Sequence, residues 1–213
     1  MKSIAVLGLG KYGSAVADAL MEGGAEVMVV DYNEDLVDRY SDRVTHALIA
    51  DLSDAKAVAG LGIGNMDAVV VCMAMDLEAS IISIMVAKEQ GVPLVIAKAR
   101  SRRMGEILKK IGADQIVYPE EESGNRTARK LITSDFLEFF DLSDDLCIIE
   151  MVPKEQWVGQ SLKALNLRGK FGINVVAIRN GERVNAVINP DRPLEKSDSL
   201  LMVVNKEDVK KFR

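Results

Sequence analysis

The chain has one histidine, His46, and two cysteines, Cys72 and Cys147, among 213 residues. A single imidazole leaves little room for histidine-based metal or triad chemistry. The cysteines lie far apart in apolar runs and read as small buried hydrophobes of a reducing compartment, ahead of a disulfide or a metal pair. Long apolar runs are also missing. The longest, Ala68 to Met75 and Ala79 to Ala87, fall well short of the ~20 residues that a membrane-spanning helix needs. Gly8 and Gly10 interrupt the N-terminal apolar stretch, so no signal-peptide pattern forms and the expectation is a soluble, cytoplasmic chain. The net charge of −5 argues against a general nucleic-acid binder, although Arg100, Arg102, Arg103, Lys109 and Lys110 make one locally basic stretch. A composition of 48% hydrophobic and 28% charged residues is ordinary for one or two globular domains and argues against disorder.

What is present is a strand-like run, Ile4 to Leu7, that ends in glycines spaced G-x-G-x-x-G (Gly8, Gly10, Gly13) and passes directly into an Ala/Val-rich helical pattern. That is the opening of a dinucleotide fold. Gly8 permits the tight turn, Gly10 lets a phosphate approach the backbone, and Gly13 lets the helix pack close on the sheet. The phosphate would then sit on free N–H groups at the positive end of the helix dipole. A second strand, Val27 to Asp31, ends in an acid at about the ~20-residue offset of a ribose-binding carboxylate. A carboxylate there accepts from a ribose hydroxyl but repels a 2′-phosphate, which favours NAD or an adenine nucleotide over NADP. The alternative is an acid that caps the helix begun by Asn33, Glu34 and Asp35.

Up to about residue 118 apolar strands alternate with amphipathic helices, which predicts a Rossmann-like, doubly wound parallel α/β sheet. Strands are expected at 3–8, 26–31, 44–50, 67–73, 93–98 and 115–118. Helices are expected at 11–23, 33–41, 53–60, 77–90, 101–111 and 120–133. Ligands of such sheets bind beyond the carboxyl ends of the strands. After strand three, Asp51 is a candidate for adenine or ribose contact, with Ser53 or Asp54 as a helix cap. After strand four, the small or flexible residues Met73, Ala74 and Met75 would let a nucleotide lie close, unless the loop is simply capped by Asp76. After strand five, Lys98 is a candidate phosphate ligand, and the cations at Arg100, Arg102 and Arg103 oppose a helix dipole by about 0.3–1 kcal/mol each. After strand six, Glu120, Glu121 and Glu122 either complement a dipole or hold a divalent cation. The full candidate cofactor-binding set is Gly8, Leu9, Gly10, Lys11, Tyr12, Gly13, Asp31, Tyr32, Asp51, Leu52, Met73, Ala74, Met75, Glu78, Lys98 and Arg100.

Residues 127–140 read as continued helix, whose aromatics Phe136, Phe139 and Phe140 suggest packing against a second copy or within the core. The expected domains are therefore 1–140, with trailing crossover helices, and 141–213, a small α+β subdomain. In the latter Leu146 to Val152 reads as a strand and Ser161 to Leu167 as a short helix. Asn174 to Val187 reads as a hairpin with a type I′ turn at Asn180-Gly181, and Ser199 to Val204 as a last strand before a basic helix.

Gly8 to Gly13, Asp31, the run Leu108 to Glu120 and the tail with Leu165 to Arg168, Gly172, Asn174 and Pro193 to Leu200 together resemble the RCK family, regulators of potassium conductance, over essentially the whole chain. Their combination is similar to the cytoplasmic regulatory subunits of Ktr/Trk potassium-uptake systems. The resemblance implies a non-enzymatic, dimer-based octameric ring that binds ATP/ADP or NAD(H) and gates a membrane potassium-transporting partner, peripherally associated with the membrane. Lys11 matches a position usually Arg, which reaches nucleotide phosphates; Lys keeps the charge without the bidentate fork. Glu120 matches an acid associated with a divalent cation, Mg2+ or Ca2+. Arg168 and Asn174 match positions that bind cyclic di-AMP in some members. The competing reading is an NAD-dependent oxidoreductase, which needs an acid/base group near the nicotinamide.

Overall fold

Strand β1 (Ser3–Leu7) sits at the centre of a six-stranded sheet because its side chains have apolar partners on both faces. The computed structural model describes residues 1–132 and 136–209, and the chain divides into two compact units, Met1–Glu122 and Ser123–Arg213. The first continues as α1 (Lys11–Glu22), β2 (Glu26–Asp31), α2 (Glu34–Asp38), β3 (His46–Ile49), α3 (Ala55–Gly60), β4 (Ala68–Val71), α4 (Leu77–Glu89), β5 (Leu94–Lys98), α5 (Arg102–Ile111) and β6 (Gln115–Val117). Helix α6 (Pro119–Ile132) follows. All strand pairs are parallel, in the order β3-β2-β1-β4-β5-β6. This is the doubly wound order.

Alternation along each strand feeds two separate cores. Ala5 and Leu7 of β1 join Val58 of α3, Ile84 and Ala87 of α4 and Leu108 of α5, whereas Val6 joins Ala17 of α1 and Val37 of α2 on the other face. β4 is Ala-Val-Val-Val and buried throughout, the continuous apolar run that a strand covered on both sides requires. Each fully buried Leu, Ile or Val contributes about 1.5–3 kcal/mol against exposure. The strands therefore stay in place and project their C-terminal loops toward one edge.

The second unit holds β7 (Phe136–Asp141), β8 (Leu146–Met151), α7 (Leu162–Leu165), α8 (Leu167–Phe171), β9 (Asn174–Asn180), β10 (Arg183–Asn185) and β11 (Asp198–Asn205). They form an antiparallel sheet of order β10-β9-β11-β8-β7. Three expectations are corrected here. Residues 136–140 are strand and not helix: they pair antiparallel with β8, with an irregular register between Phe136 and Glu138, and Phe139 packs on the core while Leu137 and Phe140 are exposed. The hairpin loop is Gly181-Glu182, one residue later than expected, because Arg183 pairs with Asn180. Only Gly181 in it has positive φ, +59°, so the turn lacks the second left-handed residue of type I′. The helix at 161–167 is split by Asn166, which is left-handed (φ +46°) and caps α8 with its own side chain. The basic end of the chain, Lys210–Arg213, lies outside the described residues, and with it the expected final helix.

Candidate functional site

The glycines end β1 in a turn that only glycine allows at two of its three positions. Gly8 has φ +93°, and a Cβ there would lie 2.8 Å from Met73 Cγ and Sδ. A Cβ on Gly13 would lie 1.9 Å from the Gly8 carbonyl oxygen, so α1 packs against the turn at backbone distance. Gly10 differs. Its φ is −63°, and a Cβ would meet nothing within 4 Å. The space above Gly10 is open to an approaching group.

That space faces the start of α1, whose first N–H groups have no partner inside the helix. Gly10 is the N-cap and no side chain caps the turn, nor is there an acid in it. By contrast, Asp54 accepts from the Lys56 N–H of α3, Asp76 from the Ala79 N–H of α4 and Ser101 from the Met104 N–H of α5. The first turn of α1 thus has no side-chain acceptor, with Lys11 exposed on it, and a helix N-terminus of this kind favours an anion.

Asp31 borders it from the end of β2. Its carboxylate is buried: Leu9 N–H donates to Oδ2 at 2.6 Å and Asn33 N–H to Oδ1 at 2.9 Å. One bond locks the acid to the glycine turn and the other closes the turn into α2. Each oxygen retains acceptor capacity for a hydroxyl. Tyr32, next in the chain, is exposed.

From β5, Lys98 reaches the same edge. Its side chain is only 14% exposed; Nζ donates to Glu120 Oε1 at 2.7 Å and lies 5.5 Å from the centre of the Tyr12 ring. The hydrogen bond from Lys98 is the main cause that holds the Glu120 carboxyl below its ordinary range. Burial, and then the neighbouring Cys72 and Glu122, push the Tyr12 hydroxyl up. Cys72 lies beneath the turn, and burial pushes its thiol up to about 12. It is held as a neutral thiol and not as a nucleophile.

Other candidates divide between surface and core. The side chains of Leu9 and Leu52 are buried in the two cores of the unit, which leaves only their main chain for a ligand. Asp51 is exposed, and the Ser53 hydroxyl and N–H hold its pKa down in a local turn. Met73 packs under Gly8, Ala74 is buried, and Met75 is 84% exposed, its sulfur 3.6 Å from an Arg100 guanidinium nitrogen. Glu78 is exposed on the first turn of α4.

The three carboxylates at the start of α6 do not converge on one point, because each has its own nearer donor. Glu120 takes Lys98, Glu121 takes Arg102, and Glu122 accepts weakly from the Tyr118 N–H at 3.5 Å. Among the described residues no group of three or more His, Cys, Asp or Glu could hold a metal ion. In the second unit Arg168 on α8 and Asn174 at the start of β9 are both exposed. Sequence reasoning missed the cations' partners, since Lys98 and Glu120 are 22 residues apart and carry no mutual spacing signal.

Comparison with known proteins adds the family. Residues 4–119 match the TrkA-N domain and residues 147–213 the TrkA-C domain. The chain is 35% identical over 213 residues to the Ktr system potassium uptake protein C of Bacillus subtilis (strain 168), covering 99% of this chain and 96% of that protein. It is 36% identical over 207 residues to the Ktr system potassium uptake protein A of Vibrio alginolyticus, covering 97% and 94%. Among solved structures the GsuK channel shares the fold with a TM-score of 0.71 at 16% identity, over 99% of this chain and 38% of that one. Its NAD-bound form gives 0.65 at 15% identity, over 97% and 38%. Among the described residues no helix is long and apolar enough to cross a membrane.

Proposed function

The chain belongs to the family that joins a TrkA-N to a TrkA-C domain, and on that premise we propose that it is the nucleotide-binding regulatory subunit of a potassium-uptake transporter. The observation that carries the reading is the uncapped α1 terminus below Gly10, open to a phosphate and flanked by Asp31 and Lys98. Main-chain amides take the phosphates of ATP, ADP or NAD(H), Asp31 takes a ribose hydroxyl, and Lys98 meets negative charge that accumulates beside Tyr12. No bond of the ligand is broken. Occupancy favours one subunit arrangement over another, and that difference in affinity is what a transporter reads.

The subunit acts as a dimer-based ring at the cytoplasmic face of the membrane, held there by a potassium-transporting partner. The oxidoreductase alternative would need an acid/base group near the nicotinamide, and the chain's one histidine is not there. His46 is the first residue of β3, at the end of the strand opposite to the ligand edge. Cells deficient in potassium uptake test the reading when they express this chain with a Ktr membrane subunit. Uptake should exceed that with the membrane subunit alone, and a Gly10→Asp variant should lose its response to nucleotide. Uptake indifferent to the chain, with no membrane subunit copurifying, would contradict it.

A further inference from the structure

In the second unit the β9–β10 hairpin and the segment after it line a half-open cavity of about 300 Å3. It forms because the chain leaves the sheet after the three residues of β10 and folds back through two side-chain-closed turns. Val187 N–H donates to Asn185 Oδ1 at 2.9 Å, and Asp191 N–H donates to Asn189 Oδ1 at 3.0 Å. Main-chain donors thus determine which way both amides point. Each Nδ2 is left as a donor with no partner among the described residues.

Two guanidinium groups line the same space. Arg192 is committed: it bonds the fully buried Asp198 with both terminal nitrogens, at 2.9 and 3.0 Å, and reaches Glu195 at 3.3 Å. Arg183 has no ion-pair partner among the described residues. The lining also includes aliphatic side chains, with Ile178 buried and Val187 85% exposed. An isolated exposed arginine is ordinarily a solvated charge. An uncompensated guanidinium and two oriented amides that line one hollow together with aliphatic side chains instead match an oxyanion carried on a compact apolar body. The volume is at the lower end of small-molecule sites.

We propose that this cavity binds a small organic anion, a carboxylate or phosphate monoester whose apolar part covers Val187 while its oxyanion takes Arg183, Asn185 and Asn189. The site belongs to the second unit alone, is independent of the glycine turn, and is lined by neither Arg168 nor Asn174.

Calorimetric titration of the full chain with phenyl phosphate, benzoate and benzyl alcohol tests it. The chain carries Gly10→Asp so that the glycine turn is closed to phosphate; the wild-type chain compared with Arg183→Gln makes the same test should that background not fold. At least one of the two anions should bind, benzyl alcohol should not, and the anion preferred identifies carboxylate or phosphate ester. Arg183→Gln should weaken binding by about tenfold or more, and Arg183→Lys should restore part of it. Absence of heat with both anions, equal binding of benzyl alcohol, or an unchanged affinity in Arg183→Gln would overturn the proposal.

Discussion

Two glycines of one motif should respond to the same methyl group in opposite ways. In Gly13→Ala the new Cβ would sit 1.9 Å from the Gly8 carbonyl oxygen, 3.0 Å from its carbon and 3.3 Å from Cys72 Cβ. The first two contacts are backbone, so relief requires α1 to move off the turn by more than 1 Å. Overpacking of this kind costs about 1–3 kcal/mol. At about 2–4 °C per kcal/mol for a chain of this size, the transition of the first unit should fall by roughly 2–12 °C. In Gly10→Ala the Cβ meets nothing within 4 Å and φ is −63°, so no strain arises. Alanine is a poorer N-cap than glycine, but it also restricts the unfolded chain, and these effects of about 0.5–1 kcal/mol oppose each other. Stability without ligand should therefore stay within about 1 kcal/mol of wild type. Nucleotide affinity should nevertheless fall by about tenfold or more, because the methyl occupies the space a phosphate must enter. Denaturant unfolding without ligand and calorimetric titration with ATP or NAD separate the two effects. Gly10→Ala as destabilising as Gly13→Ala, or binding nucleotide with undiminished affinity, would refute the assignment of Gly10 to the ligand.

Asp31→Asn should weaken binding of ADP and NAD and narrow the margin against NADP, read as a ratio of dissociation constants, since it removes the charge that repels a 2′-phosphate. Lys98→Met should change stability by less than about 1 kcal/mol, because its partner Glu120 is two-thirds exposed, while it lowers affinity for ATP more than for adenosine in the same titration. Cys72 gives a pH signature. Its thiol rises from an ordinary 9.0 to about 12 in the fold, so its contribution is complete below pH 9 and is lost as the pH climbs toward 12, where the unfolded chain ionises first. Unfolding free energies of wild type and Cys72→Ala should converge across that window; parallel curves would contradict the shift.

Much of the first unit is legible in its sequence because its signals are local. β4 announces itself as Ala-Val-Val-Val, and the spacing of Gly8, Gly10 and Gly13 encodes turn, opening and close packing within six residues. What escaped depends on partners distant in the chain. The sequence around Lys98 carries no sign of its ion pair with Glu120, and Leu52 reads as a loop residue until the core takes its side chain. Residues 136–140 read as helix because they follow α6 without a glycine or proline, whereas pairing with β8 decides their state. The turn at Gly181-Glu182 shows the same limit on a smaller scale, since strand register and not the Asn-Gly pair places it.

A calorimetric titration of the purified 213-residue chain with ATP, ADP, NAD and NADH bears on the central claim most directly. At least one should bind, and its heat should be much reduced in the Gly10→Asp chain, whose folded state the open space above Gly10 tolerates. Failure of all four to bind, or binding that Gly10→Asp leaves intact, would contradict the claim that the α1 terminus is the nucleotide site.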